Sequence, residues 1–401
     1  MKKLYVKNFG PVKEANVELR DINLFIGEQS IGKSTLAKLI TILTDYISLC
    51  KLIISSETGW MEQLKVYNLD VYKDNKYKIK YDIEESNITF HVDISPNKLS
   101  SYMLRGGKRV TKKDSIILEL LNLKPIFHKE LFFNIISKKK SISESGNNSD
   151  ELIEFMNNSL YVPAERILYS VISKLMPALQ LTKSTIPNNF LRFMVELTNA
   201  KSTYPLLDVP LLNISYKNDG SEDYFILKNN KNEYPLTTAS SGIQSTIPLL
   251  LVLQYAINKR EYSSFVIEEP ECNLFPEKQV ELLKFIISVV KNDKRTLTIT
   301  THSPYLLSAM NNYLYAGTLV HTFGDNIRES VSEILSESYQ LKPGECSVYS
   351  LGERINGYGI YCKSLIDEKT GMIDYNTLDS VTAIMSEEFD KLEDAFIQMN
   401  R

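Results

Sequence analysis

Cysteine is scarce in this chain and wrongly spaced for metal or disulfide work. The four that occur, Cys50, Cys272, Cys346 and Cys362, include no Cys-x-x-Cys pair. Reduced thiols in a cytosolic protein are the expectation, without a zinc ribbon or a disulfide framework. An excess of charge of one sign is also missing. With 46 Lys and Arg against 49 Asp and Glu, the formal net charge of -3 gives no global attraction to nucleic acid or to an anionic membrane. The longest apolar run, around Ile247 to Ile257, holds Pro248 and Gln254 and falls short of the roughly 18 residues a membrane span needs. The basic start M-K-K-L-Y-V-K-N-F has no apolar stretch behind it and does not read as a signal peptide. A cytoplasmic protein is expected.

At 43% hydrophobic and 24% charged, the composition is that of a globular chain able to bury a sizeable core. Its 401 residues suffice for one large domain with insertions or for two modest ones. Leu4 to Phe9, Val17 to Leu19 and Ile22 to Ile26 read as short strands, and Leu36, Leu39, Ile40 and Leu43 share one helical face. Between Cys50 and Ser159 the character changes. The alternation Tyr77, Ile79, Tyr81, Ile83 and Ile88, Phe90, Val92, Ile94 predicts hairpins, followed by a more helical piece over 115–136 and a polar link at 138–150. Sustained heptads are absent, which excludes a long coiled coil.

The core resumes near Tyr161, with strands at Phe265 to Ile267 and Leu297 to Thr300 and a helix at Leu282 to Val290. A strand-like piece, Leu314 to Thr322, precedes a tail. That tail carries Leu378, Val381, Met385, Phe389, Leu392 and Phe396 at helical steps, a stripe for core or partner packing. The expected organisation is an N-terminal lobe over 1–48, an insertion over 49–159, the resumed core over 160–310, and a C-terminal strand and helical tail over 311–401.

Four motifs carry chemistry. G-E-Q-S-I-G-K-S, Gly27 to Ser34, lies between an apolar strand and a helix, the context a phosphate loop requires. Its glycines let backbone N–H groups turn inward to phosphate oxygens, and the helix adds its positive end. Gly27, Gln29, Ser30, Gly32, Lys33, Ser34 and Thr35 are the expected contacts of ATP, with Lys33 bridging the β- and γ-phosphates and Ser34 on Mg²⁺. F-V-I-E-E-P-E, Phe265 to Glu271, is an apolar strand ending in two carboxylates. Glu268 is assigned to the metal and Glu269 to the attacking water as general base. T-T-H-S-P, Thr300 to Pro304, sets His302 at a strand end, within reach of a γ-phosphate. T-A-S-S-G-I-Q, Thr238 to Gln244, places serine hydroxyls before an apolar helix, another anion-binding arrangement.

The order of these motifs resembles the ABC-type ATPases, particularly their SMC/RecF/OLD-like branch. Ala239 to Ile243 stands where that family has its L-S-G-G-Q signature, and E-E-P-E-C-N-L-F-P, Glu268 to Pro276, resembles the D/E-E-P-E-x-x-L-x-P of the OLD-like branch. Glu268 replaces the commoner aspartate. The resemblance implies an α/β P-loop NTPase of ABC-ATPase type, a mixed sheet core plus a helical signature subdomain, with an inserted α+β region. It further implies a homodimer closed around two ATP and Mg²⁺. Ser240, Ser241 and Gly242 would act on the nucleotide of the other copy, and His302 would be the switch histidine. Higher homo-oligomers stay open.

Tyr161 to Arg166 is similar to a block these ATPases carry before the signature. It reads either as a neighbour of the γ-phosphate or as an ordinary helix start after Pro163. At the level of system, the chain resembles the ATPase subunits of anti-phage systems such as PARIS, Septu and AbiL, where a separate nuclease is the effector. A strand leading into a lone glutamate and then Asp-x-Asp is absent after His302, so no nuclease activity is expected in this chain. A RecF-like repair ATPase, an ATP-bound scaffold holding a toxic partner and a transporter subunit are the competing readings. The basic cluster Arg105, Lys108, Arg109, Lys112 and Lys113 is either a nucleic-acid or acidic-partner contact, or a solvated turn.

Overall fold

A computed structural model describes residues 1–55, 57–73, 76–85, 87–96, 98–113, 115–116, 159–172, 187–259, 262–292, 295–352, 361–374 and 385–391. Strands β1 (Lys2–Phe9) and β2 (Val12–Leu19) alternate as the sequence suggests, Leu4 and Val6 pointing inward and Lys3 and Lys7 outward. They form a hairpin with Leu4 opposite Val17. Strand β3 (Ile22–Gly27) leaves this pair for a second sheet. Helices α1 (Lys33–Thr44), α2 (Tyr46–Ser55) and α3 (Glu57–Val66) follow.

The hairpins expected around residues 77–94 are present as β4 (Lys78–Glu85), β5 (Ile88–Ser95), β6 (Lys98–Arg105) and β7 (Lys108–Val110). They do not form a body of their own. β4 pairs with β1, Tyr81 opposite Leu4, giving one antiparallel sheet in the order β2-β1-β4-β5-β6-β7. One face of that sheet packs on Leu36, Leu39, Ile40, Trp60 and Leu64.

The central sheet runs β16-β15-β3-β14-β13-β8, built from β8 (Ser159–Val162), β13 (Ser264–Glu268), β14 (Thr296–Thr300), β15 (Cys346–Leu351) and β16 (Cys362–Ser364). All but β16 are parallel. Both faces are covered, which explains unbroken apolar runs such as Phe265, Val266 and Ile267. The register sets Thr300 between Phe25 and Glu268, so the C-terminal ends of β3, β14 and β13 lie side by side. Ligands bind at that edge of open parallel sheets.

Between β8 and β13 come helix α4 (Asn188–Thr203), a four-stranded antiparallel sheet of β9 (Leu206–Val209), β10 (Ile214–Asn218), β11 (Asp223–Leu227) and β12 (Glu233–Pro235), and then helix α5 (Ser241–Lys259). Phe193, Leu197, Tyr216 and Leu249 bury this unit into the central core. Helices α6 (Pro276–Asn292), α7 (Pro304–Phe323) and α8 (Asp325–Ile334) complete the scaffold.

The stretch Leu314 to Thr322, expected as a strand, lies inside α7. Ser303 caps that helix by accepting from the Leu306 N–H, and Pro304 occupies its first turn. Leu306, Leu307, Met310, Tyr313 and Leu314 then recur at helical steps into the core, outweighing the local strand preference of the apolar run. The C-terminal strand is instead β15. Its serines made it hard to recognise, yet Ser347 is buried by donating to Asn23 Oδ1 on β3 at 2.8 Å. Most of the expected helical piece at 115–136, the link at 138–150 and Leu378, Val381, Leu392 and Phe396 lie outside the described residues. Met385 and Phe389 are exposed. Among the described residues, no helix is long and apolar enough to cross a membrane.

Candidate nucleotide site

The loop after β3 is built on backbone conformations that favour glycine. Gly27 has φ +140° and Gly32 φ +104°. A Cβ on Gly27 would stand 2.4 Å from the Leu351 carbonyl oxygen, so β15 closes on the loop from one side. Helix α1 starts at Lys33 with no side-chain cap, which leaves its first-turn N–H groups for an anion. The Lys33 ammonium is buried and donates to the carbonyls of Gly27 at 2.9 Å and Glu28 at 2.6 Å. Burial lowers its pKa, while the nearby Glu269, Glu268 and Glu271 work the other way. Gln29, Ser30 and Ser34 are exposed, and Thr35 is buried.

Glu268 closes β13 and is 3% exposed. Burial pushes its carboxyl up to about 7, with Lys38, Tyr161 and Ser34 acting against that shift. Its Oε1 is buried without a hydrogen-bond partner. A buried carboxylate oxygen lacking a partner, with the Ser34 hydroxyl beside it, fits Mg²⁺ that takes its other oxygens from phosphate and water. Among the described residues, no group of three His, Cys, Asp or Glu is placed to hold a metal ion.

If Glu268 holds Mg²⁺, the ion would need the ionised carboxylate and would compete there with a proton. Raising the pH through about 7 removes that proton, so Mg²⁺-dependent ATP binding should strengthen from pH 6 to 8. Below that pKa the gain is at most about tenfold per pH unit. Calorimetry in buffers of different ionisation enthalpy should show proton release at pH 6 that disappears in Glu268→Gln. A flat affinity across this range would contradict the assignment.

Glu269 turns the chain at φ +43°, a left-handed conformation rare for a residue with a side chain. Its N–H donates to the Thr300 carbonyl at 2.9 Å. Its carboxylate meets His302 Nε2 at 3.4 Å on Oε1 and accepts from the Cys272 thiol at 3.2 Å on Oε2. His302 is the main reason the Glu269 carboxyl lies below the usual carboxylate range. The buried Glu271 accepts from the Thr301 hydroxyl and from the His302 N–H at 2.9 Å, fixing the loop that presents the histidine. Sequence reasoning did not assign a role to Glu271 or Cys272. The only signal was the third carboxylate of E-E-P-E itself.

Ser240 and Ser241 lie exposed at the start of α5. Gly242 is buried, and a Cβ there would be 2.7 Å from the Asn273 carbonyl oxygen. Gln244 braces the turn by donating to the carbonyls of Ala239 at 2.7 Å and Thr237 at 3.2 Å. Among the described residues, none of the hydrogen bonds of Ser240, Ser241 or Gly242 reaches Gly27–Ser34. Tyr161 to Arg166 does begin a helical turn after Pro163, a 3-10 turn over Ala164–Leu168. Arg166, however, points its guanidinium at main-chain carbonyls of the turn after β13. Arg105 and Lys108 flank the open Gly106-Gly107 tip of the β6–β7 hairpin, and Arg109 lies 4.1 Å over the Tyr102 ring. Lys112 is exposed, and Lys113 donates to the Ile54 carbonyl.

Residues 133–307 match the family model described as an AAA ATPase domain, a span that takes in Thr238 to Gln244, the paired glutamates and His302. Solved structures also resemble the chain. An SMC head bound to the C-terminal winged-helix domain of ScpA is 14% identical with a TM-score of 0.40, covering 92% of this chain and 98% of that one. The SMC head domain from Thermotoga maritima is 13% identical with a TM-score of 0.36, over 77% and 90%. A dimeric ABC transporter cassette is 10% identical with a TM-score of 0.31, over 77% and 91%. No curated protein matches the chain. The central sheet carries the glycine-bearing loop after β3 and the acidic turn after β13 at one edge, a P-loop ATPase fold with an AAA ATPase domain match across residues 133–307.

Proposed function

We propose that this chain is an ATP-hydrolysing switch in which two copies close around two ATP molecules. The observation that carries the reading is the meeting of Lys33, Ser34, Glu268, Glu269 and His302 at the C-terminal ends of β3, β13 and β14. The loop N–H groups and the uncapped start of α1 receive the phosphates. Lys33 exchanges its two loop carbonyls for β- and γ-phosphate oxygens, and Gln29, Ser30 and Thr35 line the same loop. Mg²⁺ at Ser34 and Glu268 would supply charge neutralisation for the phosphate oxygens.

Glu269, kept ionised by His302 and Cys272, accepts a proton from water as that oxygen bonds to the γ-phosphorus and the bond to the β–γ bridging oxygen breaks. His302, fixed by Glu271, stays within reach of the γ-phosphate. The exposed Ser240 and Ser241 hydroxyls and the N–H groups at Gly242 complete the site of the second copy. They meet γ-phosphate charge that exists only before hydrolysis, which makes closure ATP-dependent.

In this reading the chain is the sensor or regulatory subunit of an anti-phage system that controls a separate effector nuclease. E-E-P-E-C-N-L-F-P supports that assignment through its OLD-like resemblance. Two measurements test it. Purified chain should release phosphate from ATP only with Mg²⁺. Cells carrying it with its flanking genes should resist phage plating, and Lys33→Ala should remove the resistance. Phosphate release that rises only with added DNA, without any plating defect, would favour the RecF-like repair reading instead.

A further inference from the structure

Arg166 is fully buried, at 0% exposure. A guanidinium has five N–H donors in a planar fork, and here every one is used on a main-chain carbonyl. Nε donates to Ser245 at 3.1 Å, Nη1 to Pro163 at 3.2 Å and Glu268 at 2.8 Å, and Nη2 to Glu269 at 2.7 Å and Pro270 at 3.2 Å. One rigid group therefore joins the first turns of α5 to the acidic turn after β13. The same two segments are tied again where the Ser245 hydroxyl donates to the Cys272 carbonyl at 3.0 Å, and where Gly242 packs on Asn273. Glu269 sits in a left-handed conformation that persists only if its surroundings hold it.

We propose that Arg166 is a positioning residue that transmits engagement of the α5 N-terminus to the Glu269 carboxylate of the same subunit. The inference rests on the two-copy reading above. When the γ-phosphate held by one copy meets Ser240 and Ser241 of the other, the pull on α5 moves the Ser245 carbonyl. The planar fork carries that movement to Glu268, Glu269 and Pro270. Each base is thereby set by the nucleotide of its neighbour, and the two sites fire together.

Mixing wild-type chain with Ser240→Arg chain tests the coupling with Arg166 intact. In a mixed dimer the variant subunit's nucleotide still meets a wild-type signature, but its own α5 is unengaged. Coupling predicts that the mixed dimer is silent and that turnover follows the square of the wild-type fraction. A linear dependence, with mixed dimers verified by energy transfer between labelled subunits, would overturn it. Arg166→Lys supplies three donors from a point charge and cannot span the five carbonyls. It should lower kcat at least tenfold with KM within twofold and ATP-dependent dimerisation retained. Wild-type kcat in Arg166→Lys would remove Arg166 from the coupling even if the mixing curve is quadratic. If Arg166→Lys does not melt cooperatively, Arg166→Gln is read by the same kcat, KM and dimerisation criteria, and a linear mixing curve still overturns the coupling. Wild-type chain that neither hydrolyses ATP nor dimerises with it would instead defeat the two-copy reading, and this inference with it.

Discussion

Glu269→Gln is expected to slow ATP turnover by about 10²–10⁴-fold, the range a positioned general base contributes, while nucleotide still binds. The side chain keeps its size and both hydrogen-bond neighbours, so the loop after β13 stays in place. What it loses is a carboxylate whose pKa the neighbouring His302 lowers. Glu268 cannot substitute, because it lies buried at the end of β13 beside Ser34, where it would hold Mg²⁺ rather than face the attacking water. Phosphate release under single-turnover conditions is the measurement. Turnover within threefold of wild type would end the assignment of Glu269 as the base.

Lys33→Ala should weaken ATP binding about 10- to 100-fold, corresponding to the ~1.5–3 kcal/mol of a hydrogen bond to a charged group. The ammonium already stands inside the loop, held by the Gly27 and Glu28 carbonyls, so little reorganisation separates its resting contacts from a phosphate. Its neighbours Glu268, Glu269 and Glu271 would otherwise repel a triphosphate, and removing the cation leaves them unopposed. Titration with a fluorescent ATP analogue reads the effect directly. Unchanged affinity, with cooperative melting retained, would place the nucleotide elsewhere.

How much of this was legible in the sequence depends on how local each feature is. The strand, loop and helix around Gly27–Ser34 are contiguous, and so are β13 with its two glutamates and β14 with its histidine. Their backbone chemistry could therefore be read residue by residue. Pairings across long stretches could not. Nothing in Tyr77 to Ile83 says that its partner is β1, and the six-residue β15, with serines at two positions, carries no periodicity that distinguishes a buried parallel strand. The run Leu314 to Thr322 looked extended because apolar and branched residues suit a strand, and only packing along α7 decides for a helix.

Arg166 is the sharpest case. Its partners come from residues 163, 245 and 268–270, and they are main-chain atoms that leave no trace in side-chain identity. The positive φ of Glu269 is equally silent in sequence, since glutamate has no preference for that conformation.

The most direct test is the solution mass of Glu269→Gln with and without Mg²⁺-ATP, measured by light scattering after size exclusion. A phosphate loop and acidic pair that share one nucleotide, sealed by the Ser240 turn of another copy, predict a doubling of mass with ATP, reversal with ADP and no doubling in Glu269→Gln combined with Ser240→Arg. A mass that stays constant under saturating ATP, or doubles equally in the Ser240→Arg combination, would contradict it.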